Sequence, residues 1–138
     1  AEPHAKTVVA DGLAGPVQMI LARDGALYVT EAAGKLTRIS LADGRKTTVA
    51  DNLALPEGLA ETPWGTLIVA ETAAARLTEI DPTSGARRSV AERLPIGMPA
   101  GPGMPLPYVV TGVAVGSDGN IYFSADKNNA IYRVRPQR

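Results

Sequence analysis

The chain has 138 residues, a length ordinarily filled by one domain, and its 14 basic side chains balance 14 acidic ones. That balance, with no basic run, argues against a nucleic-acid partner, and a hydrophobic fraction of 45% argues against a disordered chain. Without cysteine there is no disulfide, thiolate nucleophile or sulfur-ligated metal, and no apolar run reaches the roughly 18 residues of a membrane span.

The chain opens Ala1, Glu2, Pro3, His4 with no initiator Met. This fits either a mature end left by signal-peptide cleavage or a trimmed chain, and favours the periplasm or secretion over the cytoplasm. Residues 6–13 then run parallel to residues 46–53: Lys6, Thr7, Val9, Ala10, Asp11 and Leu13 recur as Lys46, Thr47, Val49, Ala50, Asp51 and Leu53. The same 40-residue step carries Pro16, Gly25, Leu27, Val29 and Glu31 onto Pro56, Gly65, Leu67, Val69 and Glu71. A third unit shows Val90, Leu94, Gly119, Ile121 and Phe123, stretched by an insertion between Leu94 and Thr111. Helical repeats of this length carry a 3.6 period. Short alternating strands with a period near 40 predict propeller blades.

Each unit predicts strands in one order. An inner strand comes first, over residues 17–20, 57–60 and 112–115. The turns Asp24-Gly25, Trp64-Gly65 and Asp118-Gly119 supply the positive φ of a tight hairpin. The second strands cover 26–30, 66–70 and 120–124, and the third cover 36–39, 77–80 and 131–134, alternating apolar and polar. Outer fourth strands cover 46–50 and 88–91, where charged residues suit an exposed edge. The expected organisation is a single half-propeller with units at about 14–53, 54–94 and 95–138, and residues 5–13 as a spare closing strand. Three blades do not close a ring, since propellers typically have about 4–8. The fold expected is therefore all-β: three four-stranded blades per chain, completed to a six-bladed propeller by homodimerisation with N-terminal strand exchange. The same strand phase also suits a piece of a longer six-bladed chain.

Residues 24–31, 52–60 and 110–122 resemble the NHL-like and SMP-30/gluconolactonase-like six-bladed propellers. The third unit, with its Pro-rich insertion, is similar to secreted bacterial propellers of the ScyD/ScyE type. The likeness speaks for fold. The family it implies includes lactone hydrolases, a streptogramin lyase and pure interaction modules, and fold alone does not choose among them. It also implies that the inner strands line a central channel and that one face gathers the binding loops. Val17, Glu57, Thr111, Glu31, Glu71, Thr72, Asp126, Lys127, Asn128 and Asn129 fall on that face.

Glu57 stands out because its counterparts are Val17 and Thr111, so the repeat itself does not require a carboxylate there. Such a group binds a divalent cation (Ca, Mg or Zn) through oxygen, or acts as a catalytic base when burial raises its pKa. SMP-30-like lactonases hold a metal with a Glu at the channel entrance plus Asn and Asp. The resemblance gives that place to Glu57, with oxygens from Asp126 and Asn128. The plainer reading of Glu57 is a solvated side chain beside a proline turn. Glu31 and Glu71 sit at the channel face too, although their recurrence points to a structural task. The loop from Leu94 to Val110 is a candidate lid or partner contact through Met98, Met104 and Tyr108, or an inert rim insertion. Thr111 lines the channel. His4 lies in a frayed terminus, which disfavours a triad, and Trp64 packs at the rim. The expected function is a binding scaffold with a small-molecule or ion site. The alternatives are a metal-dependent lactone or ester hydrolase centred on Glu57 and, third, a lyase.

Overall fold

A computed structural model describes residues 4–99, 101–103 and 110–137. All regular structure in them is β apart from one 3-10 turn, Thr72–Ala74. Strands β1 (Pro16–Leu21), β2 (Leu27–Glu31), β3 (Lys35–Ile39) and β4 (Lys46–Ala50) form one antiparallel sheet in chain order. Strands β5 (Pro56–Glu61), β6 (Leu67–Glu71), β7 (Arg76–Ile80) and β8 (Arg87–Ala91) form a second. Strands β9 (Val113–Val115), β10 (Ile121–Ala125) and β11 (Ala130–Val134) form a third with three members. Residues 4–13 belong to no strand of this chain, although the repeat predicts a closing strand over 5–13.

The hairpins form where the sequence places them. Gly25, Gly65 and Gly119 have φ of 83°, 89° and 83°, a region that favours glycine. Asp24 and Asp118 each accept the N–H two residues on, at 2.9 and 3.0 Å. Trp64 lacks that acceptor, and Thr62 Oγ1 takes the Thr66 N–H instead at 3.1 Å. The indole is thereby released to reach across to the third sheet. It lies so close to Gly119 that a Cβ there would sit 2.5 Å from the ring, and its Nε1–H donates to Glu79 at 3.0 Å.

Alternate positions of each strand point to opposite faces, so each sheet buries one face against each neighbour. Tyr28, Leu36 and Ala50 of the first sheet meet Leu59, Leu67, Val69 and Ile80 of the second. Ile68, Ala70 and Leu77, on the other face of the second sheet, meet Ile121, Phe123 and Ala125 of the third. Each fully buried Leu or Ile contributes roughly 1.5–3 kcal/mol, so these two seams hold the sheets in order. The seams bring β5 alongside β1 on one flank and β9 on the other, so the inner strands converge. No helix among the described residues is long and apolar enough to cross a membrane.

Candidate functional site

Glu57 is only 1% exposed, which rules out the solvated reading. A register irregularity between Pro56 and Leu59 re-aims the start of β5. Gly58 makes the arrangement possible, because a Cβ there would collide with the Thr111 carbonyl and lie 2.9 Å from the Val113 N. With the second and third sheets this close, Glu57 Oε1 accepts the Thr111 N–H at 2.9 Å across 54 residues of sequence. The Glu57 carbonyl in turn accepts the Thr30 hydroxyl from the first sheet at 2.8 Å.

Three buried side-chain oxygens lack a partner among the described residues: Glu57 Oε2, Thr111 Oγ1 and Asp126 Oδ1. All three belong to one neighbourhood. Glu57 bonds Thr111, and the Asp126 charge acts on the Glu57 carboxyl. Burial pushes that carboxyl above its ordinary value of 4.5; the Thr111 N–H opposes the shift and the like charge of Asp126 adds to it. An unmet buried oxygen costs on the order of 1–3 kcal/mol, so a partner for any of the three would be stabilising. Two carboxylates and a hydroxyl suit a hard, oxygen-ligated cation or an ordered water. Among the described residues no three His, Cys, Asp or Glu side chains gather as a metal cluster.

Asp126 Oδ2 accepts the Met98 N–H at 2.8 Å, which anchors the long loop beside this cluster. Lys127 N–H donates to Pro95 O at 3.1 Å, and Ile96 is buried between the second and third sheets. The first residues of the insertion are therefore a strap across two sheets. Met98 itself is partly exposed there, while Met104 and Tyr108 lie outside the described residues. Asn128 is exposed and its amide donates to the Tyr132 hydroxyl, so it forms no bond to Glu57, Thr111 or Asp126. His4 is exposed.

Glu31 and Glu71 are buried, and both oxygens of each carboxylate accept hydrogen bonds. Glu31 accepts the Ala14 N–H at 2.7 Å and the Thr37 hydroxyl. Glu71 accepts the Ala54 N–H at 2.9 Å, the Thr78 hydroxyl and both an Nε and an Nη of Arg76. Burial opposes ionisation of Glu71, but the bonds from Arg76, Thr78 and Ala54 outweigh it and hold the carboxyl below its ordinary value. Glu71 thus accepts four hydrogen bonds and Glu31 two, and both side chains staple loops to strands. In the third sheet Ala125 takes the place of Glu31 and Glu71, and Pro95 takes the place of Ala14 and Ala54. Proline has no N–H to staple, so the carboxylate is absent where its donor is absent. That paired change was visible in the repeat and is the signal that sorts Glu31 and Glu71 from Glu57.

No protein-family model and no curated protein matches the sequence. Solved structures do. A catalytically inactive virginiamycin B lyase from Staphylococcus aureus, with quinupristin, superposes with a TM-score of 0.68 at 24% identity, over 90% of this chain and 39% of that one. A gluconolactonase from Xanthomonas campestris gives 0.70 at 17%, over 93% and 46%. A calcium-binding protein, regucalcin, from Agrobacterium tumefaciens gives 0.67 at 16%, over 96% and 48%. The fold is that of a β-propeller. This chain carries three of its sheets and spans less than half the length of those three structures.

Proposed function

We propose that the chain is a β-propeller binding scaffold with an ion or small-molecule site at the convergence of its inner strands. Glu57, Thr111 and Asp126 form that site. The observation that carries this reading is the coincidence of three buried, unpartnered oxygens on those three residues. A hard divalent cation fits them: Glu57 and Asp126 supply charge, Thr111 a neutral oxygen, and the ion would cancel the repulsion between the carboxylates. The calcium-binding neighbour supports calcium as the first ion to try. The ring that encloses the site has six blades and is built from two copies, each lending its N-terminal segment to the other's third sheet.

A second reading is a cation-dependent hydrolase of lactones or esters. It is favoured by the upward shift of the Glu57 carboxyl, which suits a general base, and by the gluconolactonase neighbour. Calorimetric titration with calcium and magnesium tests the site. One ion bound by the wild type and none by Glu57→Gln supports the proposal, and equal binding by both rejects it. Turnover of a δ-lactone by the wild type and not by the variant selects the hydrolase. Ion binding with no turnover selects the scaffold.

A further inference from the structure

The third sheet is unfinished in one specific way. Strand β11 takes the place that β3 and β7 take in the other sheets, since Ile131 pairs with Ser124 as Leu36 pairs with Thr30 and Leu77 with Ala70. Leu36 and Leu77 are 0% exposed, flanked in their own sheets by Ala50 and Ala91 of the fourth strands and covered by the neighbouring sheet, whereas Ile131 is 71% exposed. The face around it holds a shallow apolar recess of about 300 Å³ lined by Ala114, Tyr122, Ser124 and Ile131. At the other end of the molecule the outer face of the first sheet is open as well. Met19 is 61% exposed there, and its counterpart Leu59 in the second sheet is 2% exposed. These two open faces are the two halves of the seam that already joins the first sheet to the second: Tyr28 and Leu36 on one side, Leu59 and Leu67 on the other.

The N-terminal segment is seated in the matching way. Strand β4 lies against the second sheet, where a Cβ on Gly85 would come within 2.9 Å of the Val49 carbonyl and Arg87 donates to the Asp51 carbonyl at 2.9 Å. Residues 9–12 lie against the first sheet in the same manner: a Cβ on Gly44 would collide with the Val9 carbonyl, and Lys46 Nζ donates to the Asp11 carbonyl. So Val9 and Asp11 repeat the roles of Val49 and Asp51. The segment is placed as the fourth strand of a sheet that would precede the first one, and it joins no sheet among the described residues.

We infer that the third sheet of a second copy docks on this edge, so that residues 6–10 complete it while Val9 and Asp11 stay packed on their own first sheet. This rests on the two-copy ring proposed above and gives it a register. The pairing of β3 with β4 sets Leu36 opposite Ala50, Thr37 opposite Thr48, Arg38 opposite Thr47 and Ile39 opposite Lys46. By equivalence Ile131 of one copy lies opposite Ala10 of the other, Tyr132 opposite Val8, Arg133 opposite Thr7 and Val134 opposite Lys6. No hinge has to open, because Val9 and Asp11 already hold the position. Tyr122 and Ile131 then cover Met19 and Leu21 of the second copy. Ser124 supplies a further lock. Its counterpart Thr30 accepts the Gln18 N–H and donates to the Glu57 carbonyl of the next sheet. Ser124 Oγ already accepts the Gly112 N–H at 2.8 Å, and its proton is directed to the carbonyl of Val17, the residue that corresponds to Glu57 in the second copy's first sheet.

The chain lacks cysteine, so an engineered pair reports the register. Ala10→Cys with Ile131→Cys is expected to oxidise to a covalent dimer, while Ala10→Cys with Val134→Cys stays uncrosslinked. The second pair lies roughly 10 Å or more apart along the strand, beyond the about 7 Å reach of a disulfide. Light scattering of the parent chain is expected to give twice its 14.3 kDa mass, and Ile131→Asp, at a position already exposed in the single chain, to return a folded monomer. A parent chain that runs as a 14.3 kDa monomer, as it would if the edge awaits a further segment of a longer polypeptide, overturns the inference. So does a dimer in which only the off-register pair crosslinks. Ion titration separates this from the site proposal: a crosslinked dimer that binds no ion leaves the assembly standing and removes the site, and an ion-binding monomer does the reverse.

Discussion

The second and third sheets solve the same problem in opposite ways. At the end of β6, Glu71 gathers the Ala54 N–H, the Thr78 hydroxyl and the Arg76 guanidinium around one buried carboxylate. At the end of β10 the same place holds Ala125, the loop offers Pro95 without an N–H, and Tyr132 replaces the threonine and stacks on Phe123 with ring centroids 5.3 Å apart. A polar staple and an apolar one thus close equivalent corners. The comparison teaches what a structural carboxylate looks like in this fold: it repeats with its donor and vanishes with it. Glu57 does neither. Its counterparts Val17 and Thr111 carry no carboxylate, it meets a single N–H, and it keeps one oxygen bare.

The largest expected effect comes from breaking the polar staple. Glu71→Ala strands a buried N–H and hydroxyl and releases Arg76, whose side chain is partly exposed, so a loss of about 3 kcal/mol is expected in urea unfolding. Next comes the reverse insertion. Ala125→Glu places a buried carboxylate opposite a proline and is expected to cost about 2 kcal/mol. Adding Pro95→Ala supplies the missing N–H, and the double mutant is expected to recover about 1 kcal/mol beyond additivity, read from a double-mutant cycle. The smallest effect has the opposite sign. Glu57→Gln removes a buried charge and is expected to raise the melting temperature of the ion-free protein by a few degrees at neutral pH.

The pH dependence sharpens the same contrast. The Glu71 carboxyl is depressed, so its contribution is present above the ordinary value of 4.5 and is lost as pH falls through its folded value. The Glu57 carboxyl is raised, so its contribution is present below 4.5 and is lost as pH rises through its folded value. Thermal melts from pH 7 into acid are therefore expected to show the Glu57→Gln gain shrinking toward zero, while the Glu71→Ala deficit also narrows as the parent protein loses its staple.

Much of the fold was legible in advance because it rests on local rules. Asp-Gly and Trp-Gly turns, alternation along Leu36 to Ile39, and the 40-residue recurrence of Leu27, Val29 and Glu31 are all short-range signals, and the strands formed within a residue or two of where they pointed. The site was legible only in part. That Glu57 departs from its repeat was plain, but its burial and its bond to Thr111 depend on two sheets meeting across 54 residues, which no period encodes. The resemblance groups Asn128 with Asp126 as oxygen donors, yet along this loop their side chains diverge: Asp126 turns to the Met98 N–H and Asn128 to Tyr132. The staple role of Glu31 and Glu71 could have been drawn further, since Pro95 and Ala125 change together.

The most direct test is a carbon-detected NMR titration of the side-chain carboxyls of the ion-free chain, assigned with Glu57→Gln and Glu71→Gln. The expected result is a Glu71 carboxyl that titrates below 4.5 and a Glu57 carboxyl that titrates above it. Two carboxyls that titrate together near 4.5, or in the reverse order, would contradict the distinction between staple and site.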